Sequence, residues 1–94
     1  MIKGFKDAVT EMVFSDLKPG KGFQSDLFKP ARRKLQMVHA AVKLDDLKSP
    51  PGNRLEALKG DREGQHSIRI NEQFRICFVW SGDGAENVEI TDYH

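Results

Sequence analysis

Two short stretches of alternating apolar and polar residues, QHSIRI and FRICFVW, constrain the fold of this chain more than any other feature. Such alternation is typical of strands that bury one face of a sheet. Only residues 71–73 separate the two stretches, so they are expected to pair as an antiparallel hairpin. For their apolar faces to coincide, Ile70 and Phe74 must face the same side, which requires an odd loop, and residues 71–73 supply one. The sequence therefore predicts an antiparallel sheet with one apolar and one polar face.

The predicted register places two arginines opposite one another on the polar face, Arg69 on the first strand and Arg75 on the second. Like charges directly opposite in a strand pair are destabilising. An anion lying across the sheet would offset that repulsion, because guanidinium groups bind phosphate oxygens bidentately. The alternative is a pair of solvated arginines neutralised by Glu89. The first interpretation predicts an anion-binding surface on this face.

The first half of the chain has the pattern of two helices. The stretch DAVTEMVFSDL carries apolar residues at helical spacing: Val9, Met12, Val13 and Leu17. In the longer stretch SDLFKPARRKLQMVHAAVKLDDL, Ser25 or Asp26 is the expected N-cap, and Pro30 is compatible with the first turn only. Its apolar stripe recurs at steps of three and four: Phe28, Ala31, Leu35, Val38 and Val42.

Three other segments are predicted to be strands: MIKGF at the start, RLEALKG in the middle and NVEITDYH at the end. Helices followed by strands favour an α+β fold, in which both helices cover the apolar face of the sheet. A length of 94 residues fits a single domain, residues 1–94.

The composition restricts the function classes. One cysteine, Cys77, excludes an internal disulfide framework and cannot form a zinc site without other ligands. The chain has neither a membrane-spanning apolar run nor the apolar core of a signal peptide, so a cytoplasmic location without membrane contact is expected.

The charges are segregated although the net charge is only +1. Five cations and no acid occur between Lys29 and Lys43. Within that range Arg32, Arg33 and Lys34 lie largely off the apolar stripe, and we expect them to contact a polyanion. The alternative is a solvated helix face.

The second half of the chain resembles the HigB branch of the RelE/ParE toxin superfamily. The resemblance depends on LKGDREG, on the SIRINEQFRICF hairpin and on the closing DYH, and it covers residues 53–94 strongly. Over residues 1–50 only MIKGF and the helix order agree. The resemblance implies a RelE/ParE-like fold, with two N-terminal helices on one face of a twisted antiparallel sheet.

The resemblance also implies a function. Such proteins are toxins of type II toxin–antitoxin systems, and many are endoribonucleases that enter the ribosomal A site and cut the mRNA being translated. A HigA-like helix-turn-helix antitoxin would block the toxin and contact the operator DNA. No cofactor and no metal are implied. The alternative is a non-catalytic toxin of the same fold that inhibits the ribosome or gyrase by binding.

Metal-free RNA cleavage needs a base for the 2′-OH, stabilisation of the phosphate charge and an acid for the leaving oxygen. Arg75 with Arg69 suits charge stabilisation, and Lys59 is a second cation near the phosphate. His94 titrates near neutral pH and is the candidate acid or base. The strand parity gives Tyr93 the face of the arginines, where it would stack on a base or donate its hydroxyl. Asp92 points to the apolar side or the sheet edge, where it would orient His94 or Tyr93 or act itself.

One position departs from the family pattern. Some HigB-type toxins resemble LHPLKG and use that histidine in catalysis, whereas this chain reads LEALKG, with Glu56 at the position. Glu56 is either a replacement base or a plain strand residue. The departure leaves the division of acid and base roles open.

Overall fold

The computed structural model describes residues 1–92, which form an α+β fold with two helices and a four-stranded antiparallel sheet. Helix α1 spans Ala8–Phe14 and helix α2 spans Phe28–Ala40. The strands follow in chain order and are neighbours in that order: β1 Glu56–Ala57, β2 His66–Arg69, β3 Phe74–Ser81 and β4 Gly84–Asp92. None of the helices within residues 1–92 is long and apolar enough to cross a membrane.

The predicted hairpin register is confirmed. Strand β2 pairs with β3 so that Arg69 lies opposite Arg75, and the amide of Ile70 donates to the carbonyl of Phe74 at 2.9 Å. Asn71 closes the loop, since its Oδ1 accepts from the amides of Gln73 and Phe74 at 2.9 and 2.8 Å. A side-chain oxygen thus replaces backbone acceptors in the turn, which explains why a three-residue loop suffices.

The segment MIKGF is not a regular strand, although it lies along the edge of β4. Ile2 and Phe5 form isolated parallel bridges with Ala85 and Val88. Asn87, between those two partners, has a left-handed backbone with φ 52°. A single left-handed residue breaks a continuous ladder, so the expected first strand is reduced to two bridges.

The two helices and the apolar face of the sheet share one hydrophobic core, to which Val13 of α1, Leu35 of α2 and Ile76 of β3 all contribute. Helix α1 is shorter than its sequence pattern suggested. The Asp7 side chain caps it by accepting from the Thr10 amide at 2.7 Å. Thr10 takes a core position and its Oγ1 accepts from the Ile90 amide at 3.0 Å, which joins the helix to β4.

The prediction that Val9 and Leu17 belong to the apolar stripe of α1 is therefore wrong. Val9 is 42% exposed and Leu17 is 56% exposed. The capped helix begins at Ala8 and ends at Phe14, so Leu17 lies beyond it, and Thr10 with Val13 defines the buried side instead.

Helix α2 also differs from the prediction at both ends. A short 3-10 helix, Ser25–Leu27, precedes it, and neither Ser25 nor Asp26 makes a capping bond to α2. The helix ends at Ala40 because the Asp46 carboxylate accepts the amides of Val42 and Lys43, at 2.9 and 3.0 Å, and starts a new 3-10 helix. Val42 is consequently 68% exposed and does not belong to the buried stripe.

A carboxylate on the polar face of β4 is held by two cations from distant parts of the chain. Glu89 Oε2 lies 3.1 Å from Lys6 Nζ and 3.4 Å from Arg62 Nη1, and Oε1 accepts from Thr91 Oγ1 at 3.1 Å. Burial opposes ionisation of this carboxylate, but the three donors outweigh burial and hold the pKa of Glu89 below its ordinary value. The cluster ties both the N-terminal segment and the turn at Arg62 to β4.

We expect Glu89→Gln to destabilise the fold by about 1 kcal/mol near neutral pH, because Lys6 and Arg62 lose their shared negative partner. Since the pKa of Glu89 is lower in the folded state, this contribution is present above the unfolded pKa of about 4.3 and is lost as pH falls through the folded pKa. Urea unfolding of both proteins at neutral and strongly acidic pH measures the effect. A stability difference that does not shrink in acid would contradict this account.

Candidate functional site

The polar face of the sheet carries two rows of facing side chains. One row crosses all four strands, from Glu56 on β1 through Ser67 and Cys77 to Glu89 on β4. The second row joins Arg69 on β2, Arg75 on β3 and Thr91 on β4. Carboxylates therefore occupy both outer ends of the first row, and the two arginines lie side by side next to it.

Arg75 is buried and anchored at several points. Its side chain is only 10% exposed, Nε donates to Ser67 Oγ at 2.8 Å and Nη2 donates to the carbonyl of Arg54 at 2.7 Å. Nη2 also lies 3.6 Å from the Glu56 carboxylate. A buried guanidinium needs both a counter-charge and hydrogen-bond acceptors, and β1, β2 and the turn before β1 together supply them. The orientation of this cation is thus set by the fold before any ligand binds.

Arg69, the last residue of β2, is less buried, and its side chain contacts the hairpin loop. Its Nε donates to the carbonyl of Asn71 at 3.0 Å, which leads the side chain over the loop. Beside it a cleft of about 280 Å³ opens at the end of the sheet. The residues that line the cleft are Arg54, Glu56, Arg69, Asn71, Glu72 and Arg75.

The cleft concentrates three guanidinium groups against the carboxylates of Glu56 and Glu72. Part of the repulsion between the opposed arginines is offset within the protein, because Arg75 has Glu56 as its counter-charge. Glu89, the neutralising partner weighed from the sequence, forms its ion pairs with Lys6 and Arg62 instead. An anion in the cleft would meet Arg69 and Arg54 at its open side, with Arg75 behind them.

The remaining predicted catalytic residues lie in different places. Lys59 is exposed beyond the end of β1, where it precedes the 3-10 helix Gly60–Arg62, and it does not line the cleft. Asp92 pairs with Phe74 at the end of β4, on the opposite face from Arg75 as its parity predicts. Its Oδ2 accepts from Gln73 Nε2 at 3.0 Å, so this carboxylate contacts the hairpin loop. Tyr93 and His94 lie outside the described residues.

The three consecutive cations of α2 do not form one uniform surface. Arg33 is exposed, whereas Arg32 is partly buried with its Nε 3.8 Å from an Asp16 carboxylate oxygen. Lys34 donates to the side chain of Asn53. Burial, together with the charge of Arg33, lowers the pKa of Lys34. Lys34 therefore has a contact inside the fold, and Arg33 is the most accessible of the three.

Other groups with chemical potential are packed away. Cys77 is buried at the centre of the polar face, and burial raises the pKa of its thiol, which disfavours the thiolate. Within residues 1–92 no three of the histidine, cysteine and acidic side chains are close enough together to hold a metal ion.

The sequence did not single out Arg54 or the supporting role of Ser67. Arg54 follows the PPGN turn and has a left-handed backbone, φ 47° and ψ 57°. That conformation costs a residue with a side chain about 1 kcal/mol. The two prolines and the glycine signalled the turn, but the chain direction after it, and hence the contact with Arg75, depends on tertiary packing.

Comparisons with known proteins agree with this architecture. A family described as the RelE-like toxin of the type II toxin–antitoxin system HigB matches residues 3–94. The chain is 41% identical over 83 residues to Toxin HigB-1 of Vibrio cholerae, covering 88% of this chain and 87% of that protein. It is 32% identical over 100 aligned positions to Endoribonuclease HigB of Proteus vulgaris, and the alignment covers all of both chains.

A solved structure shows the same fold at low identity. A chain of the YoeB–YefM complex from Staphylococcus aureus superimposes with a TM-score of 0.61 and 14% identity, covering 100% of this chain and 98% of that one. Because the family match extends over both helices and the whole sheet, the resemblance seen in residues 53–94 is confirmed for nearly the full chain. The protein belongs to the HigB-like toxins, a RelE-like family of type II toxin–antitoxin systems.

Proposed function

We propose that this toxin is a ribosome-dependent endoribonuclease that cuts mRNA during translation, by attack of a 2′-OH on the neighbouring phosphate without a metal ion. The observation that carries the proposal is the pair of opposed arginines, Arg69 and Arg75, at a cleft that also contains a carboxylate, Glu56. The name of the Proteus vulgaris relative, an endoribonuclease, supports the reaction class.

In this mechanism the arginines stabilise the charge that develops on the phosphate. Arg75 is held by Ser67 and by the Arg54 carbonyl, so it needs little reorganisation when the transition state forms. Arg69 supplies a second guanidinium from the neighbouring strand, and Lys59 adds positive potential from outside the cleft. The reaction would leave a 2′,3′-cyclic phosphate on one product and a 5′-OH on the other.

Two proton transfers complete the reaction, one from the 2′-OH and one to the leaving 5′ oxygen. We assign them to Glu56 and His94, one as the base and the other as the acid. Glu56 lines the cleft, and its Oε1 is 3.6 Å from Arg75 Nη2. Tyr93 stacks on a base or donates its hydroxyl to the phosphate. Asp92, whose carboxylate accepts from Gln73 of the hairpin loop, orients Tyr93 or His94.

The partners follow from the family. A HigA-like helix-turn-helix antitoxin would bind the toxin and carry the contact with operator DNA, and the YoeB–YefM complex offers a parallel for such pairing on the same fold. The site of action would be the ribosomal A site in the cytoplasm. Arg33, with Arg32 and Lys34 beside it on α2, is the candidate contact with the ribosomal RNA backbone.

A non-catalytic toxin of the same fold is the second candidate, acting on the ribosome or on gyrase by binding. One observation favours it: Glu56 stands where the LHPLKG form has a histidine, and its carboxylate is close to a cation inside the protein.

We expect induction of the toxin without antitoxin to arrest growth and to create new 5′ ends within translated mRNA. Primer extension separates the candidates, because growth arrest without new ends would favour the binder.

We expect Arg69→Gln to make the protein more stable and less active at once. The substitution removes a like charge opposite Arg75, which should raise the free energy of unfolding by about 0.5 kcal/mol. It also removes a phosphate ligand, so mRNA cleavage should fall by about tenfold or more. Urea unfolding and primer extension measure the two effects. A less stable variant would contradict the repulsion between the two arginines, and an equally active variant would show that Arg69 does not bind the phosphate.

We expect His94→Asn to reduce cleavage by about 100-fold or more while the protein folds normally, because proton transfer loses its partner. The matched control is His39→Asn. His39 is exposed on α2, where its Nδ1 accepts from the Ile2 amide at 3.1 Å, outside the cleft. Primer extension compares the variants, with thermal unfolding as the check on folding. Equal cleavage by the His94 variant and the unaltered protein would remove His94 from the mechanism.

A further inference from the structure

The turn before β1 is held by a buried asparagine. Asn53 is fully buried, and its Nδ2 donates to the carbonyls of Leu47 and Ser49 at 3.2 and 3.4 Å. Its Oδ1 accepts from Lys34 Nζ of helix α2, and its backbone N–H donates to the carbonyl of Pro50 at 3.0 Å. With these bonds the backbone that leads into residue 54 has a defined position against α2.

The next residue is Arg54, whose backbone is held in place and whose side chain is available for binding. Its carbonyl accepts from Arg75 Nη2 at 2.7 Å, whereas its side chain lines the cleft. Within residues 1–92 the Arg54 guanidinium makes neither a hydrogen bond nor an ion pair. A cation on a fixed backbone, in the same cleft as Arg69 and Glu56, loses only side-chain freedom when it binds an anion.

We propose that Arg54 is a further RNA-binding residue, which holds a backbone phosphate of the RNA strand next to the phosphate bound by Arg69 and Arg75. The inference rests on the proposed function, since it takes the cleft to be the site for RNA. Two guanidinium nitrogens of Arg75 already donate hydrogen bonds, Nε to Ser67 Oγ and Nη2 to the Arg54 carbonyl. Arg54 and Arg69 therefore supply the cationic contacts at the open side of the cleft, Arg69 with Arg75 to the scissile phosphate and Arg54 to its neighbour.

The left-handed backbone of Arg54 offers a clean variant. Glycine adopts a φ of 47° without a steric penalty, so Arg54→Gly removes the cation while the carbonyl that accepts from Arg75 keeps its place. Arg54→Lys keeps a charge on the same backbone and should retain most of the binding. Lys21→Gln is the matched control, because Lys21 is exposed and lies outside the cleft.

The measurement is binding of a fluorescent single-stranded RNA of about ten nucleotides, with every 2′-OH methylated so that it cannot be cleaved, at a series of salt concentrations. Losing one phosphate contact should lower the slope of log affinity against log salt by about 0.7. If the two proteins bind equally at about 1 M salt, this change of slope corresponds to about eightfold weaker binding of the variant at about 50 mM salt and to less than about twofold at about 0.5 M. Arg54→Gly should show this change with an unfolding temperature at or above that of the unaltered protein, and Lys21→Gln should not.

The outcomes separate the inference from the proposed function. An unchanged slope in Arg54→Gly overturns the inference, even if the unaltered toxin cleaves mRNA. No measurable binding of the oligonucleotide by the unaltered protein also overturns it, because the inference requires the cleft itself to hold RNA. An Arg54-dependent slope in a toxin that produces no new mRNA ends supports the inference and rejects the nuclease mechanism instead.

Discussion

The anchoring of Arg75 is the interaction on which the rest of the site depends. A guanidinium buried on the polar face of a sheet is tolerated only because Ser67, the carbonyl of Arg54 and the carboxylate of Glu56 surround it. These partners come from β2, from the turn before β1 and from β1 itself. A two-residue strand such as β1 has little stability of its own, so its attachment to Arg75 explains how it keeps its place at the edge of the sheet.

The hairpin is the part of the fold that sequence reasoning predicts best, and the reason is physical. Strand parity has a period of two, so the requirement that Ile70 and Phe74 share a face demands an odd loop, and the three residues 71–73 between the two stretches supply it. From that register the opposition of Arg69 and Arg75 follows without further assumption, and the structure confirms it. The same parity correctly separates Asp92 from the arginine face.

Other features depend on contacts between distant residues and could not be predicted. Val42 fits the helical stripe, but Asp46 captures its amide and ends the helix earlier. Thr10 replaces an expected apolar residue in the core because its hydroxyl serves a strand amide 80 residues away. In each case a polar side chain with a specific partner overrides the simple pattern.

The arginines of the cleft share their chemistry unequally because their burial differs. A guanidinium that is already bonded inside the protein provides a fixed field, whereas one at the rim can follow the ligand and release counterions on binding. Arg75 fits the first description and Arg54 the second, and Arg69 is intermediate, because it is partly buried and its Nε donates to the hairpin loop. Since the carbonyl of Arg54 is itself a partner of Arg75, the residue that we assign to RNA binding also helps to hold the guanidinium that we propose stabilises the phosphate charge. A substitution at this position therefore has to preserve the backbone before its effect on RNA can be interpreted.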